Sequence, residues 1–276
     1  MFLGERFSIL ELNKDYNIDS KLVDGFGREW SRFAYLTQEY SEFLETQFKA
    51  YSSTINFTEF SPKSSIAADF GAGSGRWTQK LVPYFKKIYA LEPSDGAVRI
   101  LIHKFHEDSN VRILKESIGS NSIKNASLDF AMSLGVLHHI PDTRLALHDI
   151  SLKMKSGGVL LCYLYYDLSE KPFLYRKLHS VSNLIRLFVS RSPYFVRIAF
   201  AKIIAFLIYL PLSRFAKFCR KFVKDISNFP LYQYANMPFS VLENDALDRF
   251  GTRLEQRFSK EEISEMLVYS GFNIST

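Results

Sequence analysis

The sequence predicts an α/β fold built on an open, doubly wound, mostly parallel sheet, and three observations predict it. From Ile66 to Tyr165, short β-branched and aromatic runs alternate with helical stretches, which is the rhythm of βαβ units. The first of these runs leads straight into Gly71-Ala72-Gly73-Ser74-Gly75, a turn that opens a helix. The second run ends on an acid, Glu92, nineteen residues past Gly73.

Four regions follow in order. Residues 1–61 form an N-terminal helical cap, 62–169 the sheet core, 170–245 a helical insertion after the fifth strand, and 246–276 a return to the core. In the core, strands are expected at Ile66 to Phe70, Lys87 to Glu92, Val111 to Glu116, Leu128 to Leu134 and Val159 to Tyr165. Helices lie between them near Trp77 to Tyr84, Gly96 to His106 and Thr143 to Met154, the last closed by Gly157-Gly158. In the insertion the pattern turns helical, with breaks at Ser192-Pro193 and Pro211. Ser259 and Glu262 have capping-box spacing, and Gly271 should end that last helix before a short strand at Phe272 to Ser275.

Composition narrows the setting. A chain of 276 residues with 47% hydrophobic content can fill a sizeable core. Cys162 and Cys219 stand far apart, with no CxxC pair or histidine at ligand spacing, so neither a disulfide nor a metal site is expected. The start lacks the pattern of a secretion signal, and a cytoplasmic location is expected. The net charge of +6 conceals an asymmetry: Lys171 to Phe222 holds eleven Lys or Arg and no acid, leaving −5 for the rest. The longest uncharged run there, Ile203 to Ser213, is shorter than the about 20 apolar residues that span a bilayer, so no transmembrane helix is expected.

The glycine turn carries the chemistry. Its glycines let backbone bend sharply and approach a ligand without Cβ atoms in the way. A strand-end carboxylate such as Glu92 can accept hydrogen bonds from both ribose hydroxyls, which calls for an adenosine-containing ligand. A pyrophosphate cofactor usually meets G-x-G-x-x-G. Here the pattern is G-x-G-x-G preceded by Asp69, an acid beside the turn that suits the ammonium of S-adenosylmethionine (SAM).

Asp69 to Gly75, Glu92, Leu128-Asp129-Phe130, Val136-Leu137-His138-His139 and Leu152 to Gly158 together resemble the successive motifs of class I SAM-dependent methyltransferases, whose core is Rossmann-like. Asp24-Gly25-Phe26-Gly27-Arg28-Glu29-Trp30, Tyr163 to Tyr166 and Asp245 to Thr252 further resemble a bacterial subfamily linked to glycan or lipid-associated biosynthesis. The resemblance implies that Gly71, Ala72 and Gly73 pass the methionine portion and Asp69 helps hold its ammonium. Glu92, followed by Pro93, would hold the ribose, and Leu134 with Gly135 would offer backbone groups to the amino acid. Ser117 stands where the family usually has an acid beside adenine, followed by Ile118. Arg76 is either a fork for the SAM carboxylate or a surface arginine.

His138 and His139 follow the fourth strand, where one of them is a candidate general base or both shape the loop. Trp30 and Arg28 lie in a segment that either closes over SAM or joins the core, and Tyr165 and Tyr166 either face the acceptor or pack. The acceptor is expected to be an O or N atom of a small or lipid/glycan-linked metabolite. The alternatives are a nucleic-acid acceptor and a non-catalytic SAM-binding regulatory protein. The insertion is expected to serve as an acceptor lid, with peripheral contact between residues 171–222 and an anionic membrane at its inner face. The sheet is expected to lack its last, antiparallel strand, because the chain stops at Thr276 as the sixth begins.

Overall fold

The computed structural model describes residues 7–8, 17–33, 41–220, 222, 229 and 231–274. They divide into two compact units: the first takes the described residues up to 33, then 41–169 and 254–274, and the second takes 170–253.

The first unit is built on a six-stranded sheet. Its strands are β1 (Phe7–Ser8), β2 (Ile66–Phe70), β3 (Lys87–Leu91), β4 (Val111–Leu114), β5 (Leu128–Leu134) and β6 (Met154–Tyr163). They run in the order β1-β4-β3-β2-β5-β6, and every pairing is parallel. The five strands expected from the sequence are all present. The two-residue β1, paired with Ile113 and Leu114, falls in the region read as a helical cap; two residues are too few to show a period. Strand order reverses between β2 and β5, so a crevice opens beyond their carboxyl ends.

The helices of this unit are α1 (Ser20–Phe33), α2 (Ser41–Tyr51), α3 (Thr78–Leu81), α4 (Asp95–Lys104), α5 (Thr143–Lys153) and, later in the chain, α10 (Lys260–Tyr269). Side chains cap them where the sequence supplies an acceptor. Ser94 Oγ accepts from Ala97 N at 3.3 Å, and Asp142 Oδ1 accepts from Leu145 N at 2.9 Å. Ser259 and Glu262 form the expected capping box. A short 3₁₀ turn, Phe57–Glu59, feeds Phe57 and Phe60 into a ring cluster with Phe85 and Phe130, at centroid separations of 4.9 to 5.7 Å. Phe85 and Phe130 are fully buried there, under the sheet that carries the site.

Three local expectations are corrected. Gly157 and Gly158 do not close a helix: α5 ends at Lys153, and β6 begins at Met154 with an irregularity between its pairings to Leu128 and Phe130. The extra residues bulge out while Lys155 reaches back to Asp129, 2.7 Å away. Residues 272–274 form no strand, and Ser275 lies outside the described residues. The return to the core comes at Leu254 instead of residue 246, because the helix before it packs on the insertion.

The second unit contains α6 (Phe173–Val189), α7 (Tyr194–Ile204), a π turn (Ala205–Tyr209), α8 (Leu210–Cys219) and α9 (Phe239–Gly251). The break at Pro193 is present, but the one expected at Pro211 is not. Leu210 N bonds five residues back to Ala205 O. This wider turn accommodates a proline ring that would clash with the carbonyl four residues before it. Tyr194–Cys219 is therefore one 26-residue helix, long and apolar enough to cross a membrane by length and composition. The length of the uncharged run thus understates the length of the helix, and helix length alone does not show that it crosses a membrane. The Asp245 to Thr252 stretch works inside this unit: Tyr234 donates to Asp245, Thr252 Oγ1 to Asp248, and Arg249 to Ser182 Oγ.

Removing a ring from the aromatic cluster should cost more than its transfer energy, because rigid neighbours leave a cavity. Phe130→Ala is expected to lower unfolding stability by about 3–5 kcal/mol in denaturant melts.

Candidate functional site

The site begins where β2 ends. Gly71 has φ +81°, and a Cβ there would stand 2.5 Å from Val136 Cγ2, so the turn after β2 touches the segment after β5. Gly71 N and Ala72 N donate to Leu91 O at 2.9 and 3.0 Å. Glu92 then ties the turn from the next strand. Its Oε2 accepts from Gly73 N and its Oε1 from Ser94 N, both at 3.0 Å, so one carboxylate fixes the glycine turn and the start of α4. Burial raises the Glu92 pKa, while these N–H donors pull it back down.

Beyond this turn lies a cleft of about 950 Å³, counting its open mouth. Gly71, Ala72, Arg76, Glu92 and Pro93 line it on one side; Ser117, Ile118, Leu134 and Gly135 line it on others. The structure thus brings together nine of the eleven residues expected to hold a cofactor. Asp69 and Gly73 stand off the lining. Asp69 is buried and accepts a 2.6 Å hydrogen bond from Thr78 Oγ1, and burial pushes its pKa up to about 7. Gly73 is covered by Trp30, whose Cε2 would lie 2.9 Å from a Cβ there.

Helix α1 forms a wall that sequence reasoning only partly found. Leu22, Val23, Phe26 and Trp30 recur at helical spacing and line the cleft, with Asp19 just before the helix. The spacing was visible in the sequence, but which face the helix turns to the cleft was not. The Arg76 guanidinium lies 5.2 Å from the Trp30 ring and 5.0 Å from the Trp77 ring, held in a cation–π sandwich on the lining. Arg28 is exposed on the other side of α1.

The two histidines separate. His139 lines the cleft, and its Nδ1 lies 2.6 Å from Leu254 O. A carbonyl only accepts, so Nδ1 carries the hydrogen and Nε2 is the acceptor of the neutral ring. His138 is fully buried, stacks on Tyr165 at 3.7 Å and has no hydrogen-bond partner on either nitrogen among the described residues. Burial, His139 and Arg257 drive its pKa down to about 2. The expected catalytic role for His138 is therefore corrected: it is a neutral ring packed behind the site. Tyr165 packs with it, and Tyr166 is exposed.

The cleft fits an adenosine ligand. Ser117 Oγ is buried on the lining without a hydrogen-bond partner among the described residues, so it is a polar group in want of one. Ile118 and Leu134 supply apolar walls, and the Glu92 carboxylate retains lone pairs beyond its two backbone bonds.

Comparison with known proteins agrees with this geometry. Residues 68–162 match the family described as "Methyltransferase domain". A Dictyostelium discoideum protein assigned as a methyltransferase is 36% identical over 67 residues, which are 24% of this chain and a quarter of that protein's length. A chain from the complex of the Haloferax volcanii Trm112 methyltransferase activator with a methyltransferase aligns at TM-score 0.50 and 13% identity, over 92% of this chain and 78% of that one. A Thermotoga maritima SAM-dependent methyltransferase, described as a possible histamine N-methyltransferase, aligns at TM-score 0.48 and 15% identity, over 90% and 82%. The fold is the Rossmann-like fold of methyltransferases.

Two outcomes test the site. SAM at a hundredfold excess over its Kd should stabilise the protein by about 2.7 kcal/mol, and Glu92→Ala should remove most of that thermal shift. Asp69 keeps its proton to about pH 7 in the fold, whereas the unfolded chain ionises near the ordinary 3.8. The folded state therefore binds more protons between about pH 4 and 7, and Asp69 makes stability fall as pH rises through that window. Asp69→Asn should flatten the fall, read from denaturant melts at pH values across it.

Proposed function

We propose that this protein, with a methyltransferase domain at residues 68–162, transfers the methyl group of SAM to an O or N atom of a small or lipid/glycan-linked metabolite. The observation that supports this reading most is the cleft itself: cofactor-type residues on the β2 and β3 side share it with His139 and the apolar face of α1. SAM supplies an activated methyl on a sulfonium. The protein's work is to align the acceptor, exclude water and take a proton where the acceptor needs it.

Each role falls to a named group. Glu92 accepts from the ribose hydroxyls, Ser117 Oγ serves the adenine, and Arg76 pairs with the carboxylate while Trp30 and Trp77 hold its plane. Phe26, Leu22 and Trp30 wall the cleft with apolar surface, which keeps water from the transfer. His139 is the base. Its Nδ1–H is anchored on Leu254 O, which orients the ring and leaves Nε2 as the proton acceptor.

The test pairs turnover with binding. Asn can place an amide N–H near the position of the histidine Nδ1, so His139→Asn can keep the Leu254 contact. It is expected to lower turnover about a hundredfold or more while leaving the SAM thermal shift in place. Candidate acceptors come from cell extract split into lipid and aqueous pools, with S-adenosylhomocysteine as the readout. SAM binding without turnover in either pool would favour a SAM-binding regulator, and turnover on RNA or DNA alone would favour a nucleic-acid acceptor.

A further inference from the structure

We infer that the second unit docks on an anionic membrane surface, with α6 and the Tyr194–Cys219 helix lying in the interface. The inference stands on the second unit alone and does not rest on the proposed acceptor.

Both helices turn large apolar side chains outward. On α6 the buried side chains are Arg186 and Val189; Arg186 is 5% exposed and donates to Thr252 O at 2.9 Å, Arg253 O at 3.1 Å and Asn183 Oδ1 at 2.8 Å. The outward groups of the same helix are Leu178, Val181, Leu184 and Phe188, the last 71% exposed. On the longer helix the buried stripe is mostly small: Ala201, Ala205, Tyr209, Ser213 and Ala216. Its outward side carries Ile203, Phe206, Leu207, Phe215 and Phe218, each more than half exposed. Only 17% of its most apolar window is buried, at a mean hydropathy of 2.0. Water-facing helices show the opposite arrangement, and contiguous apolar surface of this kind marks a binding face.

Charge selects the occupant. Lys171 to Phe222 holds eleven Lys or Arg and no acid. Arg186, Arg197 and Arg214 turn to backbone carbonyls of their own unit, while Lys177, Lys202 and Lys217 are exposed beside the apolar side chains. Anionic headgroups complement those cations while the acyl boundary takes the Phe, Leu and Ile side chains. A second copy meeting this patch through a two-fold axis would set cations against cations with no acid in the segment to pair them. Nucleic acid would satisfy the charges and leave the aliphatic face exposed to water.

Connectivity sets the depth. The chain leaves the first unit after Ser169 and rejoins it at Leu254. If the long helix alone crossed a bilayer, the chain would have to cross back before Leu254. The other two helices of the unit both carry charge, Arg176, Lys177 and Arg186 on α6 and Glu243, Asp245, Asp248 and Arg249 on α9, which is too much for a bilayer core. The face therefore lies in one leaflet.

Co-sedimentation of the full chain with vesicles tests this, using phosphatidylcholine alone or mixed equally with phosphatidylglycerol. Binding should be stronger to the anionic vesicles and weaken as salt rises. Lys202→Glu with Lys217→Glu should lower partitioning at least about tenfold, and Phe206→Ser with Leu207→Ser should do likewise. All four positions face outward, so circular dichroism and melting temperature should not change. Negligible binding to both vesicle types at low salt would overturn the inference. So would vesicle binding that survives both high salt and alkaline carbonate, which marks a spanning segment. Self-association that the two serine substitutions abolish would point to a second copy instead, and RNA binding that they leave untouched would point to nucleic acid.

Discussion

The site depends on where the Glu92 carboxylate spends its lone pairs. One oxygen accepts from Gly73 N and the other from Ser94 N, so the group that can take a ribose also holds the glycine turn and the first turn of α4. Ser94 then caps α4, and α1 packs against α4 across a close approach at Gly27, where a Cβ would meet Ser94 at 3.2 Å. A single buried acid thus links β3, the glycine turn, α4 and, through α4, the helix that walls the cleft. Burial alone would make that acid expensive. The two backbone donors offset part of the cost and leave it poised to accept more.

Much of this was legible before any coordinates, because the strand rhythm and glycine turn are local patterns with one economical solution. β5 runs from Leu128 to Leu134 in both the sequence reading and the structure, and β2 likewise spans Ile66–Phe70. The strand-end acid was legible for the same reason: its position follows from the length of one βα unit. What the sequence did not show are choices made by tertiary packing. His138 and His139 are adjacent and chemically identical, yet one is sealed under Tyr165 and the other lines the cleft. Only the direction of a 3₁₀ turn, Leu137–His139, decides between them.

Proline in the insertion illustrates a second limit. A break at Pro211 is the right default, since the ring removes a donor and crowds the preceding turn. The chain avoids it by widening the helix over Ala205–Tyr209, a device with no sequence signature of its own. That one turn carries the helix through the 11-residue uncharged stretch between Lys202 and Arg214, making it part of a 26-residue helix. The membrane argument changes with it, because length counts as much as charge.

The two units follow opposite rules for solvent. In the first, Phe70, Phe85 and Phe130 are fully buried against the sheet. In the second, an arginine is buried against backbone carbonyls while phenylalanines face outward. Water could stabilise the first arrangement but not the second, since each outward apolar side chain forgoes about 1.5–3 kcal/mol that burial would return. The same sequence segment that inverts the burial pattern also lacks every acid. Two independent departures from ordinary surface composition, one in hydrophobicity and one in charge, coincide over the same helices. The proposed membrane surface, apolar beneath and anionic at its rim, would answer both.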